Sequence, residues 1–266
     1  MKAESHINKL QVRQHFSSHA SEYDRYAIVQ HKVACRLSNM LAEYLRPAQK
    51  ALEVGCGTGL LSRQLLRLLP ALRLVLSDLA HGMSQYVHQT LSGAPVCDAD
   101  AAALPFLKDS FDLVASSSVY QWLNDFPNAF EQVAGVLRPG GLFAVALFGE
   151  KTLFELRASH QAALPHDQQS HVQSFPSLGT ISDAIGVGFE VLSLKSDFEV
   201  EWHPDVQGLL RSLKKIGAQN ASQQRPHGLA SRKVMQAMIS HYNDHYGRQD
   251  GIPATYEVIY LLARLR

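Results

Sequence analysis

The sequence has only three cysteines, Cys35, Cys56 and Cys97, and no CxxC pair. Their odd number and wide spacing predict neither a disulfide framework nor a thiolate zinc site. His241 and His245 have the four-residue spacing of a zinc pair on a helix, but no third ligand is evident nearby. We therefore predict no bound metal.

Neither sign of charge predominates, because 25 Lys and Arg residues face 24 Asp and Glu residues and leave a net charge of +1. Long hydrophobic runs are also missing. The longest, around residues 142–148, is far shorter than the roughly 20 residues that span a bilayer. The first residues, MKAESHINKLQVRQHF, lack the apolar stretch of a signal peptide. We expect a cytoplasmic, monomeric protein with no nucleic-acid and no membrane partner.

The composition, 46% hydrophobic and 18% charged, is sufficient for a substantial core in one large domain of 266 residues. Residues 1–48 predict a helical N-terminal arm, since Val33, Leu37, Leu41 and Leu45 recur every fourth residue. Residues 49–150 alternate short apolar runs with helical periodicities, which predicts an α/β fold with a parallel sheet and helices on both faces. The predicted strands are 51–54, 72–77, 95–97, 111–116 and 142–147.

Residues 151–266 predict a substrate lid or insertion, followed by the closing strands of the same domain. The segment 158–174 is rich in Gln, His and Ser and predicts a loop or part of a lid. Residues 189–202 predict extended pairs, and residues 255–262 predict a closing strand. Helices are expected at 204–216 and 231–246.

The segment ALEVGCGTGLLS, residues 51–62, places Gly55, Gly57 and Gly59 between a strand and a helix. A turn without side chains beside exposed helix N–H groups is a site for a small molecule. A dinucleotide fingerprint would need glycine where Leu60 stands, and no phosphate-loop GK[ST] follows. The alternative is a glycine turn needed only for tight packing of strand against helix.

Asp78 ends the second predicted strand, where a carboxylate can accept two hydrogen bonds from a ribose diol. Its alternative role is that of a helix N-cap. Cys56 lies inside the glycine turn and is interpreted as a packing residue rather than a reactive thiol.

These landmarks resemble the class I S-adenosylmethionine-dependent methyltransferases. Glu53-x-Gly55-x-Gly57-x-Gly59 is similar to their motif I. The segment CDAD at 97–100, which precedes LPF at 104–106, is similar to the segment in which an acidic residue contacts the adenine. The strand at 111–117 and the turn PGG at 139–141 fit as well. The resemblance implies a Rossmann-like, mostly parallel seven-stranded sheet with a C-terminal helical insertion as a lid. It also implies S-adenosylmethionine as cofactor, with S-adenosylhomocysteine as product. The implied cofactor-binding residues are Glu53, Gly55, Cys56, Gly57, Gly59, Asp78, Leu79, Met83, Asp100, Ala101 and Ser117.

Three further segments resemble the malonyl-acyl-carrier-protein O-methyltransferases of biotin synthesis. They are the arm FSSHASEYD at 16–24, YQW at 120–122 and LLRSLKKIGA at 209–218. The resemblance implies methyl transfer to the free carboxylate of a malonyl thioester on acyl carrier protein. Such a carboxylate is ionised at neutral pH, so no general base is expected. Catalysis then depends on positioning and on exclusion of water.

Tyr23 is the catalytic candidate, as a residue that closes the arm over the cofactor and hydrogen-bonds a carboxylate. Its alternative is an ordinary surface tyrosine. Gln121, Trp122, Arg211 and Lys214 are the candidate substrate-binding residues. The basic face with Arg211 and Lys214 could clamp the malonyl carboxylate and the pantetheine phosphate, dock an acidic carrier helix, or simply be solvated.

Two other functions stay open at this stage. Methyltransferase-like proteins of the respiratory complex I assembly type, thought to hydroxylate or to scaffold, also resemble this sequence, including PATY at 253–256. A non-catalytic binder that keeps the cofactor site for stability is the other alternative.

Overall fold

The computed structural model describes residues 7–47, 49–165, 173–217 and 232–266. The N-terminal arm consists of helices α1 (Lys9–His19), α2 (Tyr23–Tyr26) and α3 (Ile28–Leu41). The core that follows contains β1 (Lys50–Val54), α4 (Leu60–Leu68), β2 (Arg73–Asp78), α5 (His81–Thr90), β3 (Val96–Asp98), β4 (Phe111–Ser117), a 3-10 turn (Tyr120–Trp122), α6 (Phe126–Val136) and β5 (Leu137–Phe148). The last part contains α7 (Phe154–Ala163), α8 (Leu178–Ala184), β6 (Phe189–His203), α9 (Val206–Lys215), α10 (Arg232–Tyr246) and β7 (Ile252–Leu265).

The seven strands form one sheet in the order β3-β2-β1-β4-β5-β7-β6. The first five are parallel, whereas β7 runs antiparallel to both β5 and β6. Strand order reverses between β1 and β4, which opens a crevice at the carboxyl ends of these strands. The predicted α/β, mostly parallel seven-stranded fold is confirmed.

Each face of the sheet is covered by an apolar layer, because successive strand residues point to opposite faces. Ala51 faces the layer of α3, α4 and α10, whereas Leu52 and Val54 face the layer of α6 and α8. Of the predicted stripe, Val33, Leu37 and Leu41 are fully buried on α3, whereas Leu45 lies beyond the end of this helix and is partly buried. The helices that cover both faces therefore hold the carboxyl edge of the sheet in place.

Several predicted elements differ from those observed. Of the two alternatives predicted for 158–174, the loop is wrong for residues 158–163, which lie in α7, and the lid stays a prediction. Residues 166–172 lie outside the described residues. This helix forms because Leu156 and Ser159 are buried, and Ser159 Oγ lies 3.1 Å from His241 Nδ1 on α10. Polar composition alone could not reveal that contact.

Residues 189–202, expected as extended pairs, form the single strand β6, which pairs along its length with β7. Helix α9 is shorter than the predicted 204–216, because Asp205 Oδ1 caps it by accepting from Gly208 N at 2.5 Å. Ala218 and Ser231, which belonged to predicted segments, lie outside the described residues. In the described part of the chain, no helix combines the length and the hydropathy needed to cross a membrane.

Candidate active site

A cavity of about 950 Å³, counting its opening to solvent, lies at the carboxyl ends of β1, β2 and β4. Helices α1 and α2 of the arm form its other wall. Of the residues predicted to bind the cofactor, all except Gly59 line this cavity. They lie beside Tyr23 and Trp122, and beside five arm residues that sequence reasoning missed: Lys9, Val12, Arg13, Phe16 and Gln30.

Glycine is needed at the three positions of the turn for different physical reasons. Each has a positive φ, of 71° at Gly55, 53° at Gly57 and 89° at Gly59. A Cβ on Gly55 would lie 2.3 Å from Val119 Cγ2, and one on Gly59 would lie 3.0 Å from Val87 Cγ2. A Cβ on Gly57 would meet no atom within 4 Å. Gly55 and Gly59 therefore allow close packing, and Gly57 leaves bare backbone toward the cavity.

The carboxylate of Asp78 is tied to the backbone on both sides. Its Oδ2 accepts from Gly57 N at 2.8 Å and its Oδ1 accepts from Ala80 N at 2.8 Å. Burial raises the pKa of Asp78 to about 6, although these two amide bonds oppose the shift. The alternative role of Asp78 as a helix N-cap is wrong, because Ala80 holds the N-cap position of α5 and no side chain caps this helix. Asp78 instead presents a carboxylate to the cavity. Leu79 and Met83 lie beside it in the cavity wall.

Glu53 and Cys56 are buried beneath the turn. Ser62 Oγ donates to Glu53 Oε2 at 2.5 Å, and burial raises the pKa of this carboxyl to about 8. Burial also raises the pKa of the Cys56 thiol well above its usual range, so this thiol is not an activated nucleophile. Both observations agree with a structural role for these two side chains in supporting the turn.

Asp100, predicted to contact the adenine, lies in the cavity wall next to Ala101. Its Oδ2 accepts from Lys9 Nζ at 2.7 Å, and its Oδ1 accepts from Ala102 N at 2.9 Å. The ion pair with Lys9 joins helix α1 to the end of β3. No local sequence pattern links two residues so far apart.

The arm is fastened over the cavity by several contacts. Phe16 lies between Tyr23 and Trp122, with ring centroids 6.3 Å and 5.5 Å away. The Thr58 hydroxyl of the glycine turn donates to the Asp24 carboxylate. A Cβ on Gly82 would lie 2.4 Å from the carbonyl oxygen of Ser17, so α1 and α5 pack closely.

Burial raises the pKa of the Tyr23 phenol, which stays a neutral hydrogen-bond donor. The structure thus places Tyr23 where its predicted role requires, and that role stays a prediction.

The predicted substrate-binding residues do not lie together. Trp122 lines the cavity, whereas Gln121 is 2% exposed and lies behind it, with its Nε2 donating to Ser118 O at 2.8 Å. Arg211 and Lys214 point to solvent from α9 and do not line the cavity. Arg211 Nη2 lies 3.9 Å from Asp205 Oδ1. A clamp on the malonyl carboxylate by these two cations is therefore not supported by their position, and the docking role is the one their exposure permits.

His241 and His245, the pair considered for zinc, stack with ring centroids 3.9 Å apart. The Nδ1 atom of His245 lies 2.9 Å from the carbonyl oxygen of His241. No group of three His, Cys, Asp or Glu side chains suited to a metal occurs within the ranges that the structure describes.

The residues present fit an adenosyl sulfonium donor. Gly57 leaves a cradle that any Cβ would fill, Asp78 and Asp100 supply carboxylates at neighbouring strand ends, and Leu79, Met83 and Val119 supply apolar wall. Fold and cavity together define a class I S-adenosylmethionine-dependent methyltransferase. A family model described as a methyltransferase domain matches residues 52–145.

Among similar proteins, a malonyl-acyl-carrier-protein O-methyltransferase of Geobacter sulfurreducens is 41% identical over 262 residues, covering 96% of this chain and 98% of the relative. One from Gallionella capsiferriformans is 36% identical over 268 residues, covering 96% and 90%. A mitochondrial arginine-hydroxylase of Rattus norvegicus is 30% identical over 244 residues, covering 90% and 70%. The chain belongs to the malonyl-acyl-carrier-protein O-methyltransferase family.

Solved structures share the fold at low identity. A protein of Galdieria sulphuraria assigned as a sarcosine dimethylglycine methyltransferase has a TM-score of 0.55 at 18% identity, covering 88% of this chain and 85% of that one. The cyclase SpnF has a TM-score of 0.54 at 18% identity, covering 87% and 80%. Since a cyclase shares this fold, the fold alone does not specify the reaction. The methyl acceptor therefore has to be argued from the site and the relatives.

Proposed function

We propose that this protein transfers the methyl group of S-adenosylmethionine to the free carboxylate of a malonyl thioester on acyl carrier protein, an early step of biotin synthesis. The observation that carries the proposal is how much of the chain is similar to these relatives. The Geobacter relative matches 96% of the chain, whereas the methyltransferase domain model stops at residue 145. The similarity therefore includes the arm and the part from α7 to β7, which lie outside the generic domain.

The chain's own residues position and shield the reactants. Bound S-adenosylmethionine supplies a methyl group activated by its sulfonium. Gly57 and Asp78 would hold this donor, and Asp100 would lie near its base. Phe16, Tyr23 and Trp122 would close the cavity against water, which strengthens an anionic nucleophile. No residue needs to remove a proton, because a carboxylate with a pKa near 4 is ionised at pH 7.

Label transfer tests this proposal. With methyl-labelled S-adenosylmethionine, we expect label on malonyl-carrier protein and at least about tenfold less on succinyl- or acetyl-carrier protein. The product should be a base-labile methyl ester. Binding of the donor without transfer to any acyl carrier would contradict the proposal, and would favour the binder or the scaffold function. Growth of a biotin auxotroph that carries the gene is the matching test in cells.

The exposed cations of α9 are proposed to dock the carrier protein. Reversing both charges, Arg211→Glu with Lys214→Glu, is expected to raise KM for malonyl-carrier protein about tenfold by removing attraction to an acidic helix. It should also flatten the dependence of KM on salt, because long-range attraction is screened. KM for a small malonyl thioester without the carrier should not change.

The matched control is Arg67→Glu, since Arg67 is exposed at the end of α4. This reversal changes net charge in the same direction but on a different helix. An equal rise in KM from Arg67→Glu would show that overall charge, and not α9, determines docking.

A further inference from the structure

Ser118 has a backbone conformation that serine rarely adopts. Its φ is 61°, in the left-handed region that favours glycine, and it directly follows β4. Strain of this kind persists where the surroundings impose it, and it concentrates at functional sites. The conformation places Ser118 in the cavity wall between Ser117 and Val119.

The hydroxyl of Ser118 is buried, and in the described part of the chain its Oγ has no hydrogen-bond partner. An unsatisfied buried hydroxyl is costly, and in native proteins such a group requires an explanation. Ser118 also lines the cavity, so a ligand can supply the missing partner once the hydroxyl turns toward the cavity about the Cα–Cβ bond. Strain and an unpaired hydroxyl are two independent observations on one residue.

The turn around Ser118 is held firmly. Ser118 N donates to Ala146 O at 2.7 Å, and Ser118 O accepts from Gln121 Nε2 at 2.8 Å. The side chain of Val119 packs against Gly55, where no Cβ would fit. These contacts fix the backbone that carries the hydroxyl before any ligand arrives. Gln121, expected from the sequence to touch the substrate, is thereby a positioning residue that acts through Ser118.

The place of Ser118 in the sheet indicates which ligand it meets. Asp100 and Asp78 follow β3 and β2, and the glycine turn follows β1. Strand β4 lies on the far side of β1 from both carboxylates. If those carboxylates hold the adenosyl part of the donor, the end of β4 lies toward the reacting methyl group. The acceptor has to approach at that end.

We propose that the Ser118 hydroxyl hydrogen-bonds the carboxylate of the methyl acceptor and so selects a malonyl over a neutral acyl group. This inference rests on the proposed function. One carboxylate oxygen forms the bond to the methyl carbon as the carbon–sulfur bond breaks, and the bonding electrons go to sulfur. The other oxygen accepts from Ser118. No proton is transferred.

The test measures binding, apart from turnover. In the presence of S-adenosylhomocysteine, calorimetry compares malonyl-carrier protein with acetyl-carrier protein, which lacks the carboxylate. We expect wild type to prefer the malonyl form about tenfold or more, and Ser118→Ala to lose most of that preference. Ser118→Gly removes the hydroxyl and also the backbone strain, so it should lose the preference equally. Affinity for S-adenosylhomocysteine alone should stay within about twofold in both variants.

Thermal stability gives a second readout. Because the free hydroxyl is buried without a partner, Ser118→Ala without ligand should melt at the wild-type temperature or above it. A marked fall in melting temperature would indicate a structural role and overturn the inference. So would a weakened affinity for S-adenosylhomocysteine, which would assign the hydroxyl to the donor.

The outcomes separate this inference from the proposed function. If wild type prefers the malonyl form and Ser118→Ala keeps that preference, the inference about Ser118 fails alone. If wild type has no preference and transfers no label to malonyl-carrier protein, both fail.

Discussion

Replacing Gly57 by leucine is expected to abolish binding of S-adenosylmethionine while the protein stays folded. A Cβ at this position meets no atom within 4 Å, so the new side chain enters the space where the donor would lie. We expect the dissociation constant to rise more than about 100-fold. The positive φ of 53° should cost about 1–2 kcal/mol of folding stability. Calorimetry and thermal melting measure the two effects separately.

The control for backbone strain is Gly93→Leu. Gly93 also has a positive φ, of 91°, with no atom within 4 Å of its Cβ position, and it is exposed outside the cavity. It should lose similar stability and keep full affinity for the donor. Equal loss of affinity in both variants would contradict the role given to Gly57.

Gly55→Ala should mainly lower folding stability, whereas Gly57→Leu should mainly weaken donor binding. Its Cβ would lie 2.9 Å from Val119 Cβ as well as close to both Val119 methyl groups, so rotating that side chain cannot relieve the clash. Overpacking and the positive φ together should cost about 3 kcal/mol. The primary effect is thus on the free energy of unfolding. Gly55 and Gly57 belong to one motif, but they differ in what a side chain at each position would contact.

Replacing Asp78 by alanine is expected to weaken donor binding by about 10-fold to 100-fold. The carboxylate would accept hydrogen bonds from the ribose diol, and charge-assisted bonds of this kind are worth about 1.5–3 kcal/mol. It also holds Gly57 N in the turn, so the cradle loosens at the same time. Asp98→Ala is the control, because Asp98 ends β3 beside His81 and does not line the cavity. An unchanged dissociation constant for Asp78→Ala would show that the ribose contact is wrong.

The raised pKa of Asp78 also predicts a pH dependence. Burial raises this pKa from 3.8 to about 6. The protonated carboxyl therefore favours the ligand-free folded protein at low pH, and this contribution to stability is lost as pH rises through about 6. The donor requires the ionised form, and its affinity should therefore rise over the same interval. We expect binding about tenfold weaker at pH 5 than at pH 7.5. Asp78→Asn, which cannot ionise, should bind weakly at both pH values, without this step.

Most of the cavity could be predicted from the sequence, because a strand and the turn that follows it are recognised from residues close together in the chain. Once β1, β2, β3 and β4 are parallel, their carboxyl ends meet at one edge, so Gly57, Asp78, Asp100 and Ser117 come together. Arg211 and Lys214 show where this reasoning stops. Helical periodicity placed them together on an exposed face, but it could not tell whether that face meets the cavity.

By itself the sequence determined the α/β class, the parallel core and the glycine turn with its strand-end carboxylates, because these depend on periodicity and on short spacings. Only the tertiary structure decided that Lys9 pairs with Asp100, that Gly55 serves packing while Gly57 stays bare, and that Gln121 supports Ser118 from behind. The first and second of these depend on contacts between segments distant in the chain, and the third depends on a left-handed turn at a serine. No residue pattern within one segment specifies the first two contacts, because side-chain packing across elements determines them.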